Sequence, residues 1–179
     1  ANVEAAARLV GAITTSSGAA QWRGTREIAA VMQYVGIAAQ TSSGYNAATW
    51  RFNSGYFLWQ NAYVNTMPNS VDLVNLGSSE GNPHFVGIGQ ILLALNFGLL
   101  TSQYGNIVVD DYYSGSDQVS LLPKFNTQQE VYERIQNLLD NAVENLSRTD
   151  NNRPINVRNG DIIYQGDADK WIKFAWALK

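Results

Sequence analysis

The chain has 179 residues, with 12 Lys or Arg against 15 Asp or Glu, a formal net charge of -3, and only 15% of residues charged. No basic stripe is visible, which argues against nucleic-acid binding, and the absence of cysteine excludes disulfides, thiolate nucleophiles and Cys-ligated zinc. Five Trp and nine Tyr stand among plentiful Asn, Gln, Ser, Thr and Gly, a composition suited to contacts with sugars or peptides outside the cell.

The opening "ANVEAAARLVGAI" lacks the basic start of a signal peptide. It reads as an amphipathic helix whose stripe includes Val3, Ala6, Val10, Leu9 and Ile13, ended by "TTSSG". A second helix is expected from about Thr25, with Ile28, Val31, Met32, Val35 and Ala39 on one side, before "TSSGYNAATWRFNSG". The next begins near Gly55, places Trp59 and Tyr63 four apart, and is expected to end before Pro68, since the residue preceding a proline disfavours the α conformation. A short helix over Val71 to Leu76 precedes the breaker "GSSEGNP".

Residues 85–103 are apolar on nearly all sides, the pattern of a helix buried against several neighbours. Its most apolar stretch, the 13 residues from Ile88 to Leu100, is too short to span a bilayer. The "GIG" at 87–89 is not a dinucleotide fingerprint and is better explained by close helix packing. In "YGNIVVDDYYSGSD", Gly105 permits a helix-ending conformation, Ile107 to Val109 anchor the following chain, and an acidic-aromatic loop is expected to project outward.

After Pro123, "TQQE" supplies a capping box at Thr127 and Glu130. The helix that follows has a stripe of Val131, Ile135, Leu138, Leu139, Ala142, Val143 and Leu146, with Tyr132 also assigned to the core. A polar connection with a strand-like "IIY" leads to Asp167, the expected N-cap of a last helix carrying Trp171, Phe174, Ala175 and Leu178 on one face. That helix stops without a terminating Gly, Asn or Pro, so the chain is expected to be cut in mid-helix.

The chemistry-bearing residues do not form an enzyme signature. Adjacent Asp110 and Asp111 would point to opposite faces of a strand and so could not flank one glycosidic bond, although Asp117 or Glu80 could pair with either in space. "DDYYSGSD" lacks the spacing of a calcium loop. His84 is the only histidine, has no triad around it, and is expected at a loop or helix start bonded to backbone. No catalytic, cofactor-binding or metal residue is therefore assigned, and no cofactor. The ligand-contact candidates are Trp22, Tyr45, Trp50, Tyr112 and Tyr113, whose rings can cover the apolar face of a sugar, with Asp110 and Asp111 taking hydroxyls.

Four stretches together resemble the SusD/RagB family, and more closely its SusD-like branch of outer-membrane nutrient-binding lipoproteins: "LWQNAYVN", "TSQYGNIVVDDYY", "LPKFNTQQEVYERIQNLLDNAVENL" and "GDIIYQGDADKWIKFAWALK". In the last, Gly166, Asp167, Lys170, Trp171, Lys173, Phe174, Ala175, Leu178 and Lys179 match in register. The chain departs from the family pattern at Asn106 and Val108, where an acidic residue and Pro are usual, at Asn126, where Asp is commoner, and at Trp176, where a small polar residue is usual.

The resemblance implies an all-α, mostly helical, tetratricopeptide-like scaffold with long loops. It makes residues 1–179 the N-proximal portion of a single SusD-like domain, truncated at both ends. It also implies a lipid-anchored protein on the outer face of the outer membrane. Such a protein captures glycan or peptide nutrients for polysaccharide utilisation, delivers them to a SusC-like TonB-dependent transporter, and catalyses nothing. Two alternatives are a glycoside hydrolase fragment and a helical protein-interaction scaffold without a small ligand.

Overall fold

In the computed structural model, residues 4–18, 29, 32–34, 56–113, 122–150 and 160–179 are described. Among them the chain is helical, its only sheet-like pairing being the antiparallel bridge between Ile107 and Asn126. The elements in order are α1 (Ala5–Ser17), α2 (Tyr56–Gln60), a π-helical segment (Asn61–Thr66), α3 (Met67–Ser79), α4 (Pro83–Tyr104), α5 (Asp110–Tyr113), α6 (Gln128–Ser147) and α7 (Ala168–Leu178). Of the helix expected from Thr25, Ala29 is helical, but residues 32–34 form a turn with Gln33 at φ 58 and Met32 exposed, so Met32 is not on a buried helix face; the rest of that stretch lies outside the described residues.

α4 is the centre of the packing, flanked by α3 on one side and α6 on the other, with α1 against α3 and α4 and with α7 against α6 and α4. It carries no charged residue, and Phe85, Ile88, Ile91, Leu92, Leu93, Phe97 and Leu100 are all buried. By length and composition α4 could cross a membrane, but most of it is enclosed by neighbouring helices, as a soluble core helix would be. Its glycines allow this enclosure from two sides. A Cβ on Gly87 would stand 2.8 Å from Leu146 Cγ and 2.9 Å from the Ala142 carbonyl of α6. A Cβ on Gly89 would stand 2.7 Å from Val74 Cγ2 and 3.1 Å from the Ser70 carbonyl of α3.

α6 follows its sequence pattern closely. Thr127 accepts from the Glu130 N–H while Glu130 accepts from the Thr127 N–H, so the capping box is complete. Val131, Ile135, Leu138, Leu139, Ala142 and Leu146 are buried along its core face. Tyr132 is not part of that core: it lies one residue off the stripe and is 46% exposed.

Three local expectations are corrected. α1 continues through "TTSS" to Ser17, since packing against α3 and α4 buries Ser16 there, and the Thr14 and Thr15 hydroxyls are satisfied by carbonyls of the preceding turn. Pro68 does not break the chain after Met67. The preceding turn widens instead, with the Met67 N–H reaching the Ala62 carbonyl, and Pro68 enters the first turn of α3, where a missing N–H costs nothing. The helix over Val71 to Leu76 is thus the middle of the longer α3. Finally, "IIY" is not a strand. It forms a turn wrapped around buried Asp161, which leaves Ile162 and Ile163 exposed.

That turn seats α7. Asp161 Oδ1 accepts from the N–H groups of Ile163 and Tyr164, both at 2.9 Å, and Oδ2 from the Gly166 N–H at 3.0 Å and Trp171 Nε1–H at 2.6 Å. Trp171 is fully buried, with Tyr164 edge-on at 5.0 Å, and Asp167 caps the helix by accepting from the Lys170 N–H. At the far end, Lys179 pairs with Asp140 of α6 and lies over the exposed Trp176 ring.

Candidate functional site

α4 ends at Thr101 to Gly105, where Gly105 takes φ +74 and the Thr101 hydroxyl donates to its carbonyl. From there the chain runs through Ile107, Val108 and Val109, all buried, into the single helical turn α5. The anchoring expected of Ile107 to Val109 is present. The acidic-aromatic segment, however, is neither strand nor outward loop at its start, since its first four residues coil and turn Tyr112 inward.

The positions that depart from the family pattern hold this turn together. Asn106 Oδ1 accepts from the Gln128 N–H, an unpaired donor at the start of α6, which is work an acidic side chain could also do. The Val108 N–H, which proline would lack, donates to the Tyr63 hydroxyl at 3.1 Å, and that hydroxyl donates to the Val108 carbonyl at 2.7 Å. Asn126 Oδ1 accepts from the N–H groups of Val109 and Asp110 while its Nδ2 donates to Asp110 Oδ2 at 2.9 Å. An aspartate at 126 would set two carboxylates face to face, so the amide is the group that fits here.

Asp110 is committed further by Arg134, whose Nε and one Nη donate to its two oxygens at 2.9 and 3.3 Å. The Arg134 guanidinium, and then the Asn126 amide, hold the Asp110 carboxyl below its ordinary range. Asp111 accepts from the Lys124 N–H at 2.6 Å and is exposed. Glu80 accepts from the Ala5 N–H at the start of α1. The described members of the acid set therefore each have a structural partner; Asp117 lies outside the described residues. His84 fits its expected place, its N–H capped by Asn82 and its Nε2 donating to the Arg148 carbonyl at 3.0 Å. Among the described residues no group of side chains could hold a metal ion.

Of the aromatic candidates, Tyr112 is half-buried and edge-on to Tyr63 at 5.2 Å, its hydroxyl donating to the Tyr63 carbonyl. Burial pushes both phenols well above their ordinary value. Tyr113 closes α5, and nothing is described of its side chain. Trp22, Tyr45 and Trp50 lie outside the described residues. Two rings that the sequence did not single out for a ligand stand beside this turn. Phe125 is 53% exposed and stacked on Trp59, with centroids 5.9 Å apart and planes 23° apart. Trp59 meets Tyr63 at 4.7 Å and Tyr104 edge-on at 5.3 Å. The spacing of Trp59 and Tyr63 was visible in the sequence, but the meeting with Phe125 depends on the chain folding back from α5 to α6.

A family model described as SusD-like_2, starch-binding associating with outer membrane, matches residues 5–179. Among solved structures, the chain is similar to a SusD/RagB family protein from Bacteroides thetaiotaomicron VPI-5482, at 29% identity and a TM-score of 0.75 over 99% of this chain. It is also similar to a chitin-binding SusD homolog from Flavobacterium johnsoniae, at 22% identity and a TM-score of 0.71 over 95% of this chain. It spans 37% of the length of each. None of the curated proteins matches it. The helical fold is thus the tetratricopeptide-like one of these proteins, and the chain belongs to the SusD-like family.

Proposed function

We propose that this chain belongs to a non-catalytic glycan-capture protein on the outer face of the outer membrane, anchored there by lipid, which passes its ligand to a SusC-like TonB-dependent transporter. Family membership gives the class: the family description names starch binding and outer-membrane association, and one structural relative is named as chitin-binding. The observation that carries the reading on this chain is the half-exposed Phe125 ring stacked on Trp59. A ring held at fixed tilt by a second ring is a preorganised platform for the C–H face of a sugar.

Exposed Asp111, next to Tyr112 and Tyr113, supplies a hydroxyl acceptor near this platform, and Trp22, Tyr45 and Trp50 are proposed as further contacts. Asp110 and Tyr112 act mainly by fixing the turn, since Arg134, Asn126 and Tyr63 already occupy their polar atoms. Calorimetry with chito-oligosaccharides, malto-oligosaccharides and a peptide panel tests this. Phe125→Ala is expected to weaken glycan binding by about 0.5–1.5 kcal/mol, and binding of peptides alone would overturn the choice of ligand.

A further inference from the structure

Between the α5 turn and α6 lies a cleft of about 410 Å³, lined by Phe97, Val109, Asp110, Arg134, Asn137, Leu138 and Asn141. Phe97 and Val109 lie beneath it and are closed off, so the apolar surface it offers comes from the edge of Leu138, 8% exposed, and the half-exposed Arg134 stem. The rim is polar. Its volume falls in the range of small-molecule sites, about 300–1,000 Å³. Nothing in the family match or in the description of either relative assigns a role to it.

The chemistry of the rim narrows the occupant. Asp110 and Arg134 neutralise one another in a two-point pair, so the cleft has no spare charge to attract an ion, and a charged ligand would have to break that pair. Asn137 and Asn141 are exposed on α6 and bond to no other side chain among the described residues. Each amide offers donors and an acceptor, the match for a hydroxyl that must both give and take. One helical turn apart, they stand about 6 Å from each other along the axis, comparable to the length of one hexose ring. A small apolar surface from the Leu138 edge and the Arg134 stem, between neutral amides and a self-compensated ion pair, suits a neutral polyol with one C–H face.

We propose that this cleft is a second glycan subsite, holding a single hexose unit through Asn137 and Asn141 against the edge of Leu138 and the Arg134 stem, with the outer edges of Asp110 and Arg134 available to neighbouring hydroxyls. The proposal rests on the glycan-capture reading and adds to it a site built on the scaffold helix.

The test is a titration of the 179-residue chain, labelled with nitrogen-15, with chitotetraose and with maltotetraose, following the side-chain amide signals of Asn137 and Asn141. Those signals are assigned by single Asn→Ala variants. Both pairs of amide signals are expected to shift in a saturable way with at least one of the two sugars. The Asn137→Ala, Asn141→Ala double variant is expected to lose about five-fold or more in affinity for that sugar, with a melting temperature no lower than the parent's, because both positions are exposed and alanine is the better helix former. Binding that Phe125→Ala weakens, with the Asn137 and Asn141 signals unmoved, would overturn the subsite and leave glycan capture standing. Absence of binding to either sugar, or to any in the wider glycan panel, would overturn both. The amide shifts are read on the unsubstituted chain, so a variant that failed to fold would not obscure the result.

Discussion

Asn126 and Asp110 face each other at 2.9 Å, amide nitrogen to carboxylate oxygen, and between them they secure the turn that leaves the central helix. Asn126 also accepts two backbone N–H groups there, so its side chain is used at both ends. Asn126→Asp is expected to destabilise the fold at neutral pH by about 1–3 kcal/mol, from like-charge contact and lost donation. One of the two carboxyls would then have a folded-state pKa above its unfolded value, so stability is regained on acidification and lost as pH rises through that folded value. Melting temperatures from pH 4 to 8 check this: the gap to the parent chain should narrow at the acid end.

The opposite sign applies to Asp110 in the parent chain. Arg134 first, then Asn126, depress its folded-state pKa below the ordinary 3.8. Its contribution is therefore complete above the unfolded value and is lost as pH falls through the lowered folded one. The Arg134 and Asp110 side chains are 53% and 48% exposed, so solvent screening keeps the ion pair's contribution small. Denaturant unfolding of Asp110→Asn should show a flatter dependence of stability on pH below about 4 than the parent; an identical slope would remove Asp110 from the acid response.

Glycine substitutions along α4 should divide by position. Gly87→Ala and Gly89→Ala push a methyl to 2.8 Å from Leu146 Cγ and 2.7 Å from Val74 Cγ2, and each should cost about 1–3 kcal/mol by overpacking. Gly98 meets nothing nearer than Ile135 Cδ1 at 4.0 Å, so Gly98→Ala should instead gain up to about 1 kcal/mol of helix propensity. Thermal melts of the three variants decide the matter, and equal losses at all three would contradict the packing described.

Asp161 holds four N–H donors while only 2% exposed. Asp161→Ala strands donors that have no other partner, and a loss of about 3 kcal/mol or more is expected. Trp171→Phe removes one of those bonds and part of a buried ring. In a double-mutant cycle the two changes should be strongly non-additive, because both delete the same Nε1–H to carboxylate contact. Simple additivity would mean that the bond carries little of the energy.

Local chemistry determined much of this molecule. The capping box at Thr127 and Glu130, the stripe of α6, the Asp167 cap and the all-round apolar character of α4 each arise from residues within a few positions of one another, and each is realised in the fold. The family, too, was legible, since its motifs lie in the same local segments.

What depended on distant residues was decided only by the tertiary structure. Pro68 entered a helix because the π turn before it absorbed the missing N–H, and "TTSS" stayed helical because α1 is packed in place, its hydroxyls satisfied by carbonyls of the preceding turn. Asp110 and Tyr112 read as free ligand groups in the sequence, where nothing shows Arg134 reaching across from α6 or Tyr63 arriving from the π segment. Phe125 and Trp59, far apart in the chain, become a stacked pair for the same reason. A side chain's own type states what it can bond to, but only the fold states which of those bonds are already taken.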